Sequence, residues 1–344
     1  MTVGVYRSNS DVRIERIPIP QIGSNEILMK VMASGICGSD LMEFHRKPKA
    51  GPNGSILGHE VSGEVVEVGN NIAGKYGVGD RIFVTHHVPC GECRSCRRGH
   101  GTRCDGFRLI NNFEPGGFSQ YIKVSGRSLD VGVIHLDDSV SYDQASFIEP
   151  LGTVVESEEK YKHNETVLII GGGVAGILNA QMAGMNGAGK VIVTDINRDR
   201  WENACDFSDY AMNAKLFNPD LLKKINHGRL ADKVIICSGA PEVTKQAFES
   251  FGDGGSVLFF TTPPKDVTIN MDWYKNWRSL ERVNMTYGAT PESNQKAYEL
   301  IRDGKIDVDS MISHRLPLED LADAFKMASK GEGLKYIIHP NGDC

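Results

Sequence analysis

The stretch Thr166-Val167-Leu168-Ile169-Ile170-Gly171-Gly172-Gly173-Val174-Ala175-Gly176 decides the fold of its half of the chain. An apolar run with no polar alternation reads as a strand buried on both faces, which is how parallel sheets present themselves. The Gly171-x-Gly173-x-x-Gly176 spacing follows directly and opens a helical stretch at Val174 and Ala175. Gly171 permits the tight turn, Gly173 lets backbone approach a pyrophosphate, and Gly176 lets helix and strand pack closely. A second strand, Lys190 to Thr194, ends at Asp195, where an acid can accept hydrogen bonds from ribose hydroxyls. That acid favours NAD over NADP, although Arg198 and Arg200 follow closely enough to meet a 2′-phosphate or stack on adenine. Apolar strands at Lys233 to Cys237 and Ser256 to Thr261 continue the alternation and predict a parallel sheet of about six strands.

The preceding residues behave differently. Short strands at Glu26 to Val31, Val61 to Val68 and Arg81 to Thr85, punctuated by glycine and proline turns, predict a barrel-like β domain up to residue 150. After Tyr287 come two helical stretches, Asn294 to Asp303 and Leu318 to Ser329, and a final strand, Leu334 to His339. This tail is expected to pack back on the β domain. The domains predicted are therefore 1–150 with 287–344, and 151–286.

The net charge of −6 and the scattered basic residues argue against nucleic-acid binding. No apolar run approaches the roughly 18 residues of a membrane span, and no charged-then-apolar leader opens the chain, so a cytoplasmic protein with no membrane partner is expected.

Of the eight cysteines, Cys90, Cys93, Cys96 and Cys104 crowd into one loop with almost no apolar residues. Such a loop cannot build a core around itself. Four thiolates converging on tetrahedral zinc would hold it, and a closed shell of sulfurs leaves no position for substrate, so this site reads as structural. An iron–sulfur cluster is the other metal that such spacing serves. Arg94, Arg97 and Arg98 stand ready to offset the thiolate charge. His86, His87 and His100 flank the loop and read as surface polar residues, Cys205 and Cys237 carry no assignment, and the terminal Cys344 is expected to be exposed. Trp273 and Trp277 are expected to shape a substrate pocket or a subunit interface.

A second set is scattered: Cys37 in Gly35-Ile36-Cys37-Gly38-Ser39-Asp40, His59 and Glu60 after Gly58, and Glu149 before Pro150. Read in isolation, each is more often a packed core residue than a ligand.

Together with Val78-Gly79-Asp80-Arg81-Ile82, Gly116-Gly117-Phe118-Ser119-Gln120-Tyr121 and His314-Arg315-Leu316-Pro317-Leu318-Glu319-Asp320, these motifs resemble the zinc-containing medium-chain dehydrogenase/reductase family over essentially the whole chain. Within it the sequence is similar to the sorbitol, threonine and aldose dehydrogenases. The resemblance implies an α/β protein, a GroES-like β-barrel catalytic domain plus a Rossmann doubly wound parallel-sheet nucleotide-binding domain. It implies one catalytic and one structural zinc. The catalytic ion would be held by Cys37, His59 and either Glu60 or Glu149, with the remaining glutamate exchanging in or acting through water. It implies hydride transfer from a secondary alcohol of a polyol or sugar-like substrate to NAD, Ser39 as first proton acceptor, Thr153 along the nicotinamide, Arg200 at the cofactor, the active site in a cleft between domains, and a homodimer or homotetramer. One departure stands out: many members carry a histidine five residues after the zinc cysteine as a proton relay, and this chain has Met42 there. The competing readings are a zinc-free quinone or enoyl reductase of the same superfamily and a non-catalytic, zinc-stabilised nucleotide-binding protein; metal content and NADH formation separate them.

Overall fold

The computed structural model describes residues 1–157, 161, 164–262, 264, 267–269 and 271–342; Cys344 lies outside them. The chain divides into two compact units, Met1–Val155 with Gly288–Cys344, and Glu156–Tyr287. The first boundary follows the helix Ile148–Glu156, which carries the chain beyond residue 150 before it leaves the first unit.

The second unit is built on six parallel strands. In space they run Tyr210–Asn213, Lys190–Asp195, Thr166–Ile170, Ala231–Ile236, Phe251–Phe259 and Leu280–Met285. Numbered along the chain this is the order 3-2-1-4-5-6 of a doubly wound sheet, and the strand order reverses between Thr166–Ile170 and Ala231–Ile236. Every residue of Thr166–Ile170 is buried, as its unbroken apolar run requires. Leu168, Ile170, Ile192, Val234, Ile236, Val257 and Phe259 form the core with Leu222 and Ala247 from the covering helices.

In the first unit, strand Ile27–Gly35 is the spine of an eight-stranded sheet. Its whole length pairs antiparallel with Glu60–Val68, which pairs in turn with Arg81–Val84. On its other edge, residues 27–30 pair with Tyr121–Val124, whereas Ser34 and Gly35 pair with Ile338 and Ile337 of the last strand, Lys335–His339. One strand edge thus serves two partners. Register shifts at Leu28/Met29 and Val31/Ala33 bend it between them, as bulges do when a sheet curls towards a barrel. Ile312–Pro317 extends the sheet beyond Lys335–His339, in parallel, and the helix Leu321–Ser329 packs beside it, burying Leu321, Ala324 and Phe325 against Tyr6, Phe118 and Tyr336.

Several boundaries differ from the pattern reading. The last helix begins at Leu321 because Leu318–Asp320 is a separate 3-10 turn. The Ile312–Pro317 strand has no apolar run to mark it in the sequence, because its solvent face carries Ser313, Arg315 and Pro317. Among the described residues, no helix is long and apolar enough to cross a membrane.

Candidate metal centres and nucleotide loop

The strands of the first unit bring separated residues to one place. Cys37 follows the spine strand, while His59 precedes and Glu60 begins the strand paired with it, through the Gly35–Glu60 register. One donor atom from each of Cys37, His59 and Glu60 lies within 4.8 Å of the others. Sulfur, imidazole nitrogen and carboxylate oxygen form a donor set suited to a three-ligand zinc site with an open position, so the residues fit the ion that the motifs imply.

The neighbours of this group orient it. Asp40 is fully buried. Its Oδ1 lies 3.4 Å from His59 Nδ1, leaving Nε2 as the other ring nitrogen, and its Oδ2 accepts from the Cys37 amide at 3.1 Å. Ser39 donates its backbone N–H to Cys37 Sγ at 3.4 Å. Burial opposes a charge on both Asp40 and His59, but their mutual attraction wins: the carboxyl is held below its ordinary range, with help from Arg46, and the imidazole well above its own, with help from Cys37.

Glu60 is paired with Lys335, and both side chains are all but fully enclosed. A Cβ on Gly35 would overlap Glu60 Oε2 and Lys335 Cε, so the glycine that opens the Gly-Ile-Cys motif is the space through which this pair meets. Glu149 stands apart from the converging donors. It is buried on the helix Ile148–Glu156, and burial pushes its carboxyl up to about 7, with His59 and Lys335 opposing and Glu60 and Asp40 adding to the rise. Thr153 turns its hydroxyl back to the Glu149 carbonyl at 3.3 Å.

Two histidines read as surface residues sit elsewhere. The His86 ring lies tilted at 4.9 Å from His59 and 3.9 Å from His87, measured between ring centres. Its Nδ1 is buried without a hydrogen-bond partner. Burial, together with His87, His59 and Arg46, holds its pKa well below the usual imidazole value, so a neutral ring borders the donor group. His100 is exposed, as read. Lys335 had a signal of its own in the sequence, as a lysine at the start of an otherwise apolar final strand; Arg46 had none.

The sulfurs of Cys90, Cys93, Cys96 and Cys104 also lie within 4.8 Å of one another. Cys93 and Cys96 are 3.5 Å apart and Cys90 and Cys96 3.9 Å. Zinc–sulfur bonds of about 2.3 Å give a tetrahedron of edge about 3.8 Å, which these separations match. Backbone N–H groups of Cys90 and Cys93 donate to Cys104 and Cys90 sulfurs at 3.4 and 3.3 Å.

In the second unit, Gly171 has φ +115°, a backbone conformation that side chains resist, and a Cβ on Gly176 would overlap the Gly171 carbonyl. Gly173 differs. Its φ of −76° is ordinary, and the protein atom nearest a Cβ there would be Arg200 Nη1 at 3.9 Å. The packing of the chain itself does not demand glycine at 173. Gly173, Val174 and Ala175 remain partly open where the helix Val174–Met185 begins. Asp195 braces the loop, accepting from Gly172 N and Asn197 N at 2.8 Å each. Arg200 keeps a buried Nε without a partner.

Residues 23–138 match the alcohol dehydrogenase GroES-like domain and residues 175–303 the zinc-binding dehydrogenase domain. The chain belongs to the zinc-containing medium-chain dehydrogenase/reductase family. With it the chain joins the zinc-dependent alcohol oxidoreductases that work with NAD(P). It is 30% identical over 335 residues to an L-threonine 3-dehydrogenase of Chelativorans sp., covering 94% of each chain. A putative zinc-binding dehydrogenase of Sinorhizobium meliloti, solved bound to NADP, superimposes with a TM-score of 0.85 at 26% identity, covering 98% of this chain and 99% of that one. Galactitol-1-phosphate dehydrogenase from Escherichia coli does so with 0.84 at 25% identity, covering 99% and 100%.

Proposed function

We propose that the chain oxidises a secondary alcohol on a polyol or sugar-like substrate to a ketone, with NAD receiving the hydride. The convergence of Cys37, His59 and Glu60 carries this reading, because an open three-donor site is what distinguishes it from a zinc-free reductase. Zinc bound there supplies a positive charge that eases removal of the alcohol proton. Asp40 fixes the His59 ring, Lys335 balances Glu60, and Ser39 receives the proton. Of the two glutamates, Glu60 is the one in the donor group, and Glu149 is the neighbour that exchanges with it. The glycine loop holds the pyrophosphate, Asp195 the adenosine ribose, Arg200 stacks on the adenine, and Thr153 borders the nicotinamide. The Cys90, Cys93, Cys96 and Cys104 lobe holds the structural ion.

Asp195 supports NAD over NADP, since a 2′-phosphate would meet a like charge. The clustered free thiols support a reducing, cytoplasmic setting. The relatives named above add L-threonine and sugar-alcohol phosphates to the substrates worth testing.

Purified protein is expected to hold about two zinc ions per chain, and Cys37→Ser about one, with NAD binding kept and turnover abolished. Full activity of a metal-free Cys37→Ser protein would falsify the reading. A panel of polyols, aldoses, L-threonine and primary alcohols, each with NAD and with NADP, tests the substrate and cofactor; exclusive use of primary aliphatic alcohols sinks the polyol assignment.

A further inference from the structure

Many family members carry an imidazole five residues after the zinc cysteine, and here that position is Met42, the residue that opens the helix Glu43–Ala50. One turn into that helix, Arg46 bonds its amide to the Met42 carbonyl at 3.0 Å and folds its side chain back. Its Nε donates to the Ser39 carbonyl at 2.9 Å and its Nη2 to the Ser39 hydroxyl at 2.8 Å. The same Nη2 lies 3.6 Å from Asp40 Oδ1, the atom that faces His59. A planar fork with fixed donors grips both the backbone and the side chain of one serine from two nitrogens, a geometry that the single, flexible ammonium of lysine does not fix.

We propose that Arg46 is the positioning residue for the Ser39 hydroxyl, holding it towards the substrate oxygen in a chain that lacks the relay imidazole. This rests on the function proposed above. A serine hydroxyl has two lone pairs and one hydrogen. Arg46 occupies one lone pair, leaving the second to accept from the alcohol and the hydrogen to point elsewhere. As the substrate O–H bond breaks, a new Oγ–H bond forms, and the original hydroxyl hydrogen passes to water. The hydride leaves carbon with its electron pair for the nicotinamide, so atoms and charge balance. Arg46 never gives up its own proton, because guanidinium stays charged in proteins. Its side chain keeps 24% of its exposure, so solvent reaches this side of Ser39.

The test uses Arg46→Ala, Arg46→Lys, Ser39→Ala and the Arg46→Ala/Ser39→Ala double variant, with whichever of L-threonine, 2,3-butanediol or D-sorbitol the unaltered protein oxidises fastest. Arg46→Ala is expected to lower kcat about 10- to 100-fold, with KM for NAD and zinc content unchanged. Guanidinium, well below denaturing concentrations, should restore part of the loss, Arg46→Lys should fall between, and the double variant should be no slower than Ser39→Ala. Crystals of Arg46→Ala should show Ser39 in more than one rotamer. An Arg46→Ala kcat within about twofold of the parent, or a double-variant loss equal to the product of the two single losses, overturns the proposal. If the unaltered protein oxidises none of the three and no other alcohol of the panel above, the function proposed above fails; the Ser39 rotamer in Arg46→Ala then decides the inference alone, and one unchanged rotamer overturns it.

Discussion

Gly173 and Gly176 stand three residues apart in one motif, yet the structure gives them different work. Gly176→Ala drives a methyl into the Gly171 carbonyl and should cost about 2–3 kcal/mol of stability, read by urea denaturation. Gly173→Ala meets nothing nearer than 3.9 Å and should leave stability unchanged, while weakening NAD binding about tenfold or more in a fluorescence titration. Equal effects of the two on stability would remove the argument that position 173 is kept open for a ligand. Lys335 makes a second prediction at this scale. Lys335→Met strands a buried Glu60 charge and should destabilise the metal-free protein by about 3–5 kcal/mol, whereas adding Glu60→Gln should recover most of that loss. A double variant as unstable as Lys335→Met would show that the lysine matters through packing alone. The glycines were legible because their spacing is local. Lys335 and Glu60 lie 275 positions apart, and no local pattern joins them.

The elements of the first unit are tied by a cluster whose members lie far apart in sequence. Asp143, in the helix Tyr142–Ala145, accepts from Arg315 Nε at 2.6 Å and lies 2.7 Å from His339 Nε2, joining that helix to the strands Ile312–Pro317 and Lys335–His339. Burial works against the Asp143 charge, but His339 and Arg315 outweigh it and hold the carboxyl below its ordinary value. A carboxyl lowered by folding stabilises above its unfolded pKa, and that contribution disappears as pH falls through the folded one. Asp143→Asn should therefore cost about 2 kcal/mol at neutral pH, and the gap to the parent should close below about pH 4. A gap independent of pH would mean that the charge is not what binds these elements. Strands with an unbroken apolar run, such as Thr166–Ile170, were readable as elements; Ile312–Pro317 was not, since one of its faces looks outward and its partner is the last strand of the chain.

The six-stranded sheet ends at Leu280–Met285, the last strand in its order. Val283 and Met285 on that strand are exposed, and so are Trp273 and Trp277 on the helix Trp273–Ser279 before it. A strand at the edge of a sheet is a template for another strand, and a second copy pairing there would account for the homodimer or homotetramer that the resemblance implies. Val283→Pro should shift the chain towards smaller species in sedimentation velocity, because proline cannot donate to a ladder; an unchanged oligomer would place the interface elsewhere. Along this chain, the glycine fingerprint, the four-cysteine lobe and the apolar strands could all be read without coordinates, because each is a short-range pattern whose physics is complete within a few tens of residues. The meeting of Cys37, His59 and Glu60, the Lys335 counter-charge, the grip of Arg46 on Ser39 and the place of His86 beside His59 came from folding. They arise where a bent strand is shared by several partners, and burial then makes remote charges each other's only available company.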